Sequence, residues 1–426
     1  MRWLLPELRP RVLAVLPALF PSTIIGVAKP LLRMHQDGRI ALDLTLQHLV
    51  SRRNVERADV LVMCHTIEPQ YGDILRWARE RGRPLIYEID DDLIDVPAHI
   101  QGLAYLREPR RRAQLIECIR QADVVRVYSP ALQAKLSAYN PNVTLVSGPL
   151  DWNLMPAPAP RHDASSTVKI VYATSRLDDT VGTMLIAPLE EILSRHPNVE
   201  LTIWGPRHNV LAAHPQVRFL PLIRDYDRYF ERFAREGFDI GLAPLPDDEF
   251  HRGKSNNKFR EYASCGIAGV YSDMPVYNTS VVTEDTGLLV PNQAAAWVAA
   301  IDRLITDQQL RRSIGERARV YARAHFNQQV TDGEWLAAIA ALASRPKPAA
   351  TPAAAAAGLP AVDKAVGMAR FAGRLGAKVI PVLREHGIAT TLRRTGIHLI
   401  GFTRWLSWEL HLWRLQQRVS AQRGRS

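Results

Sequence analysis

The segment PLIYEIDDDLIDVP, residues 84–97, sets Asp90, Asp91 and Asp92 side by side at the end of an apolar run, with Asp95 close behind. Adjacent carboxylates repel one another, so this stretch needs compensating cations. Asp90 and Asp92 form a D-x-D, a pair able to hold a divalent metal on a diphosphate. Asp91, Asp92 and Asp95 form a D-D-x-x-D, able to hold magnesium diphosphate when its aspartates project from helices. Acidic residues also simply cap whatever follows them, taking up free backbone N–H groups. The letters leave all three readings open, and the surrounding elements must choose.

A second constellation lies in FDIGLAPLPDDEFHRGKSNNKFREYASCGIAGVYSD, residues 238–273. An apolar strand ends at Pro244 and Pro246, a polar loop follows, and a helix is expected to begin around Ser255 to Asn257, residues suited to capping. Lys254 falls in the loop and Lys258 in the first turn, with Glu261 on the same helical face as Lys258. Cations in a first turn oppose the helix dipole. They fit better if an anion binds there, with backbone N–H groups, dipole and both ammonium groups converging on a phosphate or diphosphate. The plainer alternative is a solvated Lys258–Glu261 pair. His65 adds a titratable group at the end of the apolar run ADVLVMCH, a place that serves packing and catalysis alike.

These residues need elements to position them. RVLAVLPALF reads as a buried strand, and PSTIIGVAKPLLRMH as a helix that Ser22 or Thr23 would cap. A strand to Cys64, a helix with Ile74, Leu75 and Trp77, a strand to Ile89, and the units ADVVRVYSPALQAKLSAY and VTLVSGPL follow. Short strands alternating with helices imply a doubly wound parallel sheet. After the Pro, Ala and Ser-rich break MPAPAPRHDASST the alternation restarts, from VKIVYATS to TGLLVPN, and closes with two helices. The expected division is an α/β domain over 1–160, a second over 161–343, an Ala/Pro-rich linker over 344–361, and a helical basic tail over 362–426. Ligands of such sheets bind at the carboxyl ends of the strands, so two facing domains enclose a cleft.

Composition narrows the classes further. The net charge is +11, but +9 of it falls between Leu359 and Ser426, so the body is nearly neutral and lacks a nucleic-acid footprint. Cys64, Cys118 and Cys265 are scattered and odd in number, which fits a reducing compartment and neither a disulfide framework nor a structural zinc site. Glu7, Arg9 and Arg11 interrupt the N-terminal apolar run, so neither an export signal nor a spanning helix is expected, and the chain reads as cytoplasmic.

The segment 238–273, with TGLLVPNQAAAWVAAIDRLITDQQLRRSIGERA after it, resembles the C-terminal domain of retaining, family-four type glycosyltransferases of the GT-B fold. The likeness spans roughly residues 168–330 and rests on EYASCG, the loop to G-L-L-V-x-N, Trp297 and L-x-x-D-x-x-L-R. ADVLVMCH and ADVVRVYSPAL look like the family's N-terminal units, and YEIDDDL with GKSNNKFREYA is similar to bacterial enzymes that build surface polysaccharides. The resemblance implies two Rossmann-like domains facing a cleft, a nucleotide-diphosphate sugar as donor and no cofactor. It implies that Glu261 hydrogen-bonds the donor ribose and that Arg176 neutralises the diphosphate; the partner lysine expected a few residues after Arg176 is absent, and Lys254, Ser255 and Lys258, read from the helix start and not from the family, would complete the donor site. Where the family carries a first glutamate against the transferred sugar, this chain has Gly253. Asp90 stands where many members have a histidine, so Asp90 and His65 would orient or deprotonate the acceptor hydroxyl, and Lys258 would support the leaving group.

Two enzymatic rivals fit the aspartates less well. A D-D-x-x-D prenyl synthase needs an all-helical chain, and a metal-dependent D-x-D transferase needs one nucleotide-binding domain without the EYASCG helix. A non-catalytic nucleotide-sugar or glycan-binding protein on the same fold is the other alternative, suggested by Gly253. In the tail, a helix would place Arg404, His411, Arg414 and Arg418 on one face, and Phe402, Trp405, Leu406, Leu410 and Trp413 on the other. That pattern suits an anionic membrane surface bearing a polyprenyl-linked acceptor; packing on the body or on a partner chain is its alternative.

Overall fold

The computed structural model describes residues 9–155, 167–174, 179–205, 211–223, 225–345, 410 and 413–419. Two six-stranded sheets, parallel throughout, carry the fold. The first contains β1 (Arg11–Leu16), β2 (Ala41–Leu46), β3 (Val60–Cys64), β4 (Leu85–Glu88), β5 (Val124–Val127) and β6 (Val143–Leu145), in the order β2-β1-β3-β4-β5-β6. The second contains β7 (Val168–Ala173), β8 (Val199–Trp204), β9 (Val217–Leu220), β10 (Ile240–Ala243), β11 (Ala268–Ser272) and β12 (Leu288–Val290), in the order β12-β11-β10-β7-β8-β9. The α/β, GT-B architecture expected from the sequence is the one observed.

Strands covered on both faces need continuous apolar runs, and the central strands supply them. Leu13, Val15, Leu61 and Met63 pack to one side of the first sheet. Val12, Ala14, Val60 and Val62 pack to the other. The edge strand β2 adds to the expected set; its outer half is only partly covered, and Asp43 interrupts its apolar run.

Strand order reverses between β1 and β3 in the first sheet and between β7 and β10 in the second. Chain leaving neighbouring strands at such a point turns to opposite faces and opens a crevice. The residues just beyond β1 and β4 and those beyond β7 and β10 line a common cleft of about 340 Å³.

The chain crosses between the domains more than once. Leu150 and Leu154, after β6, already pack in an apolar cluster of the second domain. The helix Gln328–Ala343 returns: Trp335 and Ile339 sit with Val60 and Val62 of the first sheet. A division at 343 therefore does not hold for packing, because this helix follows the second domain in sequence yet buries its apolar side on the first. Trp335 is fully buried, its indole N–H donates to the Gly26 carbonyl at 2.9 Å, and the Arg126 guanidinium lies 4.0 Å from its ring centre. At the hinge, the buried Lys29 ammonium meets Asp151 at 2.6 Å and Asp227, from the second domain, at 2.7 Å.

The tail also differs from expectation. Phe402, Arg404, Trp405, Leu406 and His411 lie outside the described residues. In the described turn, Leu415 and Val419 are buried in the first-sheet cluster, and Arg418 pairs with Asp225 at 2.9 Å and Asp227 at 3.4 Å. Arg418 thus serves the body instead of an outward basic face, because two acidic side chains of the second domain lie within its reach. Leu410 and Trp413 remain exposed. Among the described residues no helix is long and apolar enough to cross a membrane.

Trp335→Ala, which removes a fully buried indole and its hydrogen bond, is expected to lower the unfolding free energy by about 3–5 kcal/mol in urea titrations. Trp335→Phe should recover most of that loss.

Candidate functional site

The first-domain side of the cleft is built on the ends of β3 and β4. His65 follows β3 in the left-handed backbone region, φ 48°, an unfavourable conformation for a residue with a β-carbon and one that concentrates at functional sites. It carries the imidazole Nε2 to 2.7 Å from Asp90 Oδ1. Burial alone would lower the His65 pKa, but the Asp90 carboxylate raises it above the ordinary imidazole value. Burial alone would raise the Asp90 pKa, but His65, then Lys254 and the Ser22 hydroxyl, hold it below the ordinary carboxylate value. Each partner thus favours the charged form of the other, and Asp90 is held as the carboxylate. Behind it, Glu88 is buried and accepts a hydrogen bond from Tyr128, and burial pushes its pKa up to about 7.

The remaining aspartates have their own cations. Asp91 lies 3.3 Å from Lys254 of the second domain. Asp92 is buried; one oxygen accepts from the Ile94 and Asp95 amides, and the other lies 2.6 Å from Lys135. The same ammonium reaches Asp95 at 2.7 Å and, across the domains, Glu249 at 2.9 Å. Burial alone would lower the Lys135 pKa, but these three carboxylates raise it. Asp92 thus caps its own loop. Asp92, Asp95 and Glu249 are the one group of three or more metal-capable side chains among the described residues. A lysine ammonium stands where a cation would sit between them. Asp90 and Asp92 of the D-x-D have separate partners and do not converge.

On the second-domain side, the helix Asn257–Ser264 begins beside the cleft. Asn256 holds the N-cap position, but its side chain donates to Ser280 Oγ at 2.8 Å and makes no cap bond, and the first turn carries no acidic residue. Lys254, Ser255, Lys258 and Glu261 all line the cleft. Lys258 contacts Glu261 at 2.8 Å, and the Tyr229 hydroxyl donates to Glu261 at 3.3 Å. The Lys258–Glu261 pair of the plainer reading does form, but it faces the cleft and Glu261 is buried. Arg176 lies outside the described residues.

Sequence reasoning missed several cleft residues. Tyr226 and Tyr229, from the helix Tyr226–Arg235, join Trp204 at the end of β8 in an aromatic wall, with Trp204 and Tyr229 edge to face at 5.2 Å. The i, i+3 spacing of the tyrosines was legible, but which face they present was not. His251 also lines the cleft, its Nδ1 held 2.8 Å from Asp248; the Asp-x-x-His spacing within a polar loop was its signal. At position 253 a Cβ would lie 3.2 Å from the Asp92 Cβ, a tight contact that a shift of a few tenths of an ångström would relieve.

Comparison with known proteins agrees with the two-sheet fold. Residues 169–307 match a family model described as glycosyl transferases group 1. The sucrose-phosphate synthase of Thermosynechococcus elongatus is similar in structure, with a TM-score of 0.59 at 16% identity, covering 78% of this chain and 99% of that one. HepE of Anabaena, in a crystal structure with UDP-glucose, gives a TM-score of 0.55 at 16% identity, covering 78% of this chain and 100% of that one. A glycosyltransferase from Rickettsia africae gives 0.57 at 13% identity, covering 79% and 100%. No curated protein matches in sequence.

Two outcomes test the electrostatics. His65 should titrate above the ordinary imidazole value of about 6.5 in NMR spectra, and Asp90→Asn should lower its pKa, since the strongest carboxylate partner is lost while Asp91 and Glu88 still favour the charged ring. The stability supplied by His65 is full below its unfolded pKa and is lost as pH rises through the raised folded value. That supplied by Asp90 is present above its unfolded pKa and is lost as pH falls through the depressed one. Separately, Lys135→Met would leave three carboxylates within 4.8 Å of one another. The variant is expected to bind Mn²⁺ in calorimetry at a site the unaltered protein lacks.

Proposed function

We propose that this chain is a glycosyltransferase of the GT-B fold, a reading supported by the group 1 match over residues 169–307 and the two facing sheets, and that it transfers a hexosyl or deoxyhexosyl group from a nucleotide-diphosphate sugar to a hydroxyl of a glycan or lipid-linked acceptor. The proposed reaction retains anomeric configuration, uses no metal or other cofactor, and serves cell-surface polysaccharide synthesis. One observation carries the reading: two lysines at an uncapped helix start line the same cleft as Asp90, which His65 holds from behind at 2.7 Å.

Cleavage of the anomeric carbon–phosphate bond builds negative charge on the departing diphosphate while the sugar becomes oxocarbenium-like. Lys254, Lys258 and the helix N–H groups would stabilise that charge without reorganising, usually the largest catalytic effect. Ser255 would donate to a phosphate oxygen, and Glu261 would hold the ribose hydroxyls. Arg176 is proposed as a further diphosphate contact. Asp90, kept anionic by His65, would accept the acceptor hydroxyl's hydrogen bond and orient it for attack. HepE, solved with UDP-glucose, makes uridine donors the first to try.

Because Lys135 supplies the charge that Asp92, Asp95 and Glu249 require, transfer should survive complete chelation. Lys258→Ala should lower kcat about 10²–10³-fold, the scale of losing one preorganised charge-stabilising donor. Radiolabelled transfer from a panel of UDP, GDP and dTDP sugars to glycan and polyprenyl-linked acceptors measures both. Loss of activity with EDTA, or full turnover by Lys258→Ala and Glu261→Ala, would overturn the reading. Gly253 favours a second one, a sugar-nucleotide binding protein without transfer. Donor binding with no turnover across the panel would establish it. Exposed Leu410 and Trp413 support placing the enzyme peripherally on the inner face of the cell membrane, which flotation with anionic vesicles checks.

A further inference from the structure

The donor-site helix Asn257–Ser264 carries Glu261 as its carboxylate, and the segment from Gly253 to its start offers none. Sugar hydroxyls are best recognised by charged acceptors, so the sugar end of the cleft needs one from elsewhere. The donor proposed above is linear: nucleoside, diphosphate, sugar. With its ribose on Glu261 and its diphosphate along Lys258 and Lys254, the next groups in that direction are the first-domain carboxylates that face Lys254.

Those carboxylates differ in what they have left to offer. Asp90 is engaged by His65 at 2.7 Å. Asp92 is buried, bonded to two amides and to Lys135. Asp91 lines the cleft and touches Lys254 through contacts of 3.3 and 3.4 Å, long for a charge-assisted bond. Its oxygens retain lone pairs for hydroxyl donors, and Lys254 fixes its charge without capturing it. The loop that carries it runs close to position 253, where a Cβ would lie 3.2 Å from Asp92 Cβ.

We infer that Asp91 reads the hydroxyls of the transferred sugar, so that the specificity carboxylate of this enzyme comes from the first domain, held against the donor by Lys254. The inference rests on the donor-site reading above. A consequence is that sugar recognition requires the domains to be together: the nucleotide end binds to the second domain alone, whereas the sugar end is complete only when Lys254 meets Asp91.

The test compares Asp91→Asn and Asp91→Ser with the unaltered full chain in calorimetric titrations against UDP, UDP-glucose, UDP-galactose, UDP-N-acetylglucosamine, GDP and GDP-mannose. Both variants should bind the free nucleoside diphosphate within about twofold of the unaltered protein. The preference between sugars on the same nucleotide should shrink by about tenfold or more, the scale of losing a hydrogen bond to a charged group. Unchanged preference in both variants would overturn the inference. So would equal weakening of free diphosphate and sugar nucleotide, which would mean that Asp91 acts only through Lys254. Failure of the unaltered protein to bind any of these ligands would instead sink the donor-site reading itself, and the inference with it. Thermal unfolding of both variants close to that of the unaltered protein guards against misfolding as the cause.

Discussion

Everything at the cleft depends on how four carboxylates are held within one short loop. Asp90, Asp91, Asp92 and Asp95 would repel one another and splay the chain if left unpaired, and they are met by three cations from different places in the fold, Lys135 serving both Asp92 and Asp95. His65 comes from the neighbouring strand, Lys135 from the helix Pro130–Leu136, and Lys254 from the other domain. Two of those pairings continue across the domain boundary, through Lys254 to Asp91 and through Lys135 to Glu249. The loop is thus both a wall of the cleft and the electrostatic joint between its halves. A single residue of added bulk at Gly253 would press on it.

The hinge repeats the same physics away from the cleft. Lys29 is buried with Asp151 and Asp227 around it, and Asp227 also meets Arg418. Breaking such a buried cluster by removing one partner is far more damaging than never having built it, since the remaining charge stays desolvated. Trp152 donates to the Phe326 carbonyl at 2.9 Å, so the outgoing and returning chains are tied to each other where they cross. These contacts bring the two switch points face to face, and the donor helix and the His65–Asp90 pair share one cleft as a result.

Much of the fold was legible. Runs such as VLVMC and VKIVYA are apolar without interruption because both faces of a parallel sheet are covered, and alternation with helices fixes the class. The less visible elements were those whose pattern is weak in isolation. Edge strand β2 is half exposed and carries Asp43, and the alanine-rich helix Gln328–Ala343 has an apolar face that makes sense only against a sheet more than two hundred residues earlier. In the site, Lys254, Lys258 and Glu261 were readable because lysines at a helix start are electrostatically out of place there. His251 and the tyrosines at 226 and 229 were not, since a polar-loop histidine and a helical tyrosine look the same whether they face solvent or a cleft.

The sequence by itself determined the two parallel sheets, the carboxylate-rich loop at a strand end and the cationic helix start, because periodicity and helix electrostatics act over a few residues. Only the tertiary structure decided which cation answers which aspartate. Lys135, Lys254 and His65 lie up to 163 positions from their partners, and at such separations nothing local to the chain distinguishes a metal-binding D-x-D from one neutralised by lysine and histidine. Arg418 makes the same point in reverse: helical periodicity placed it on a basic outer face, and the proximity of Asp225 and Asp227 turned it inward. Charges in a protein are paired through space, and their meaning follows from the partner that folding brings within about 3 Å.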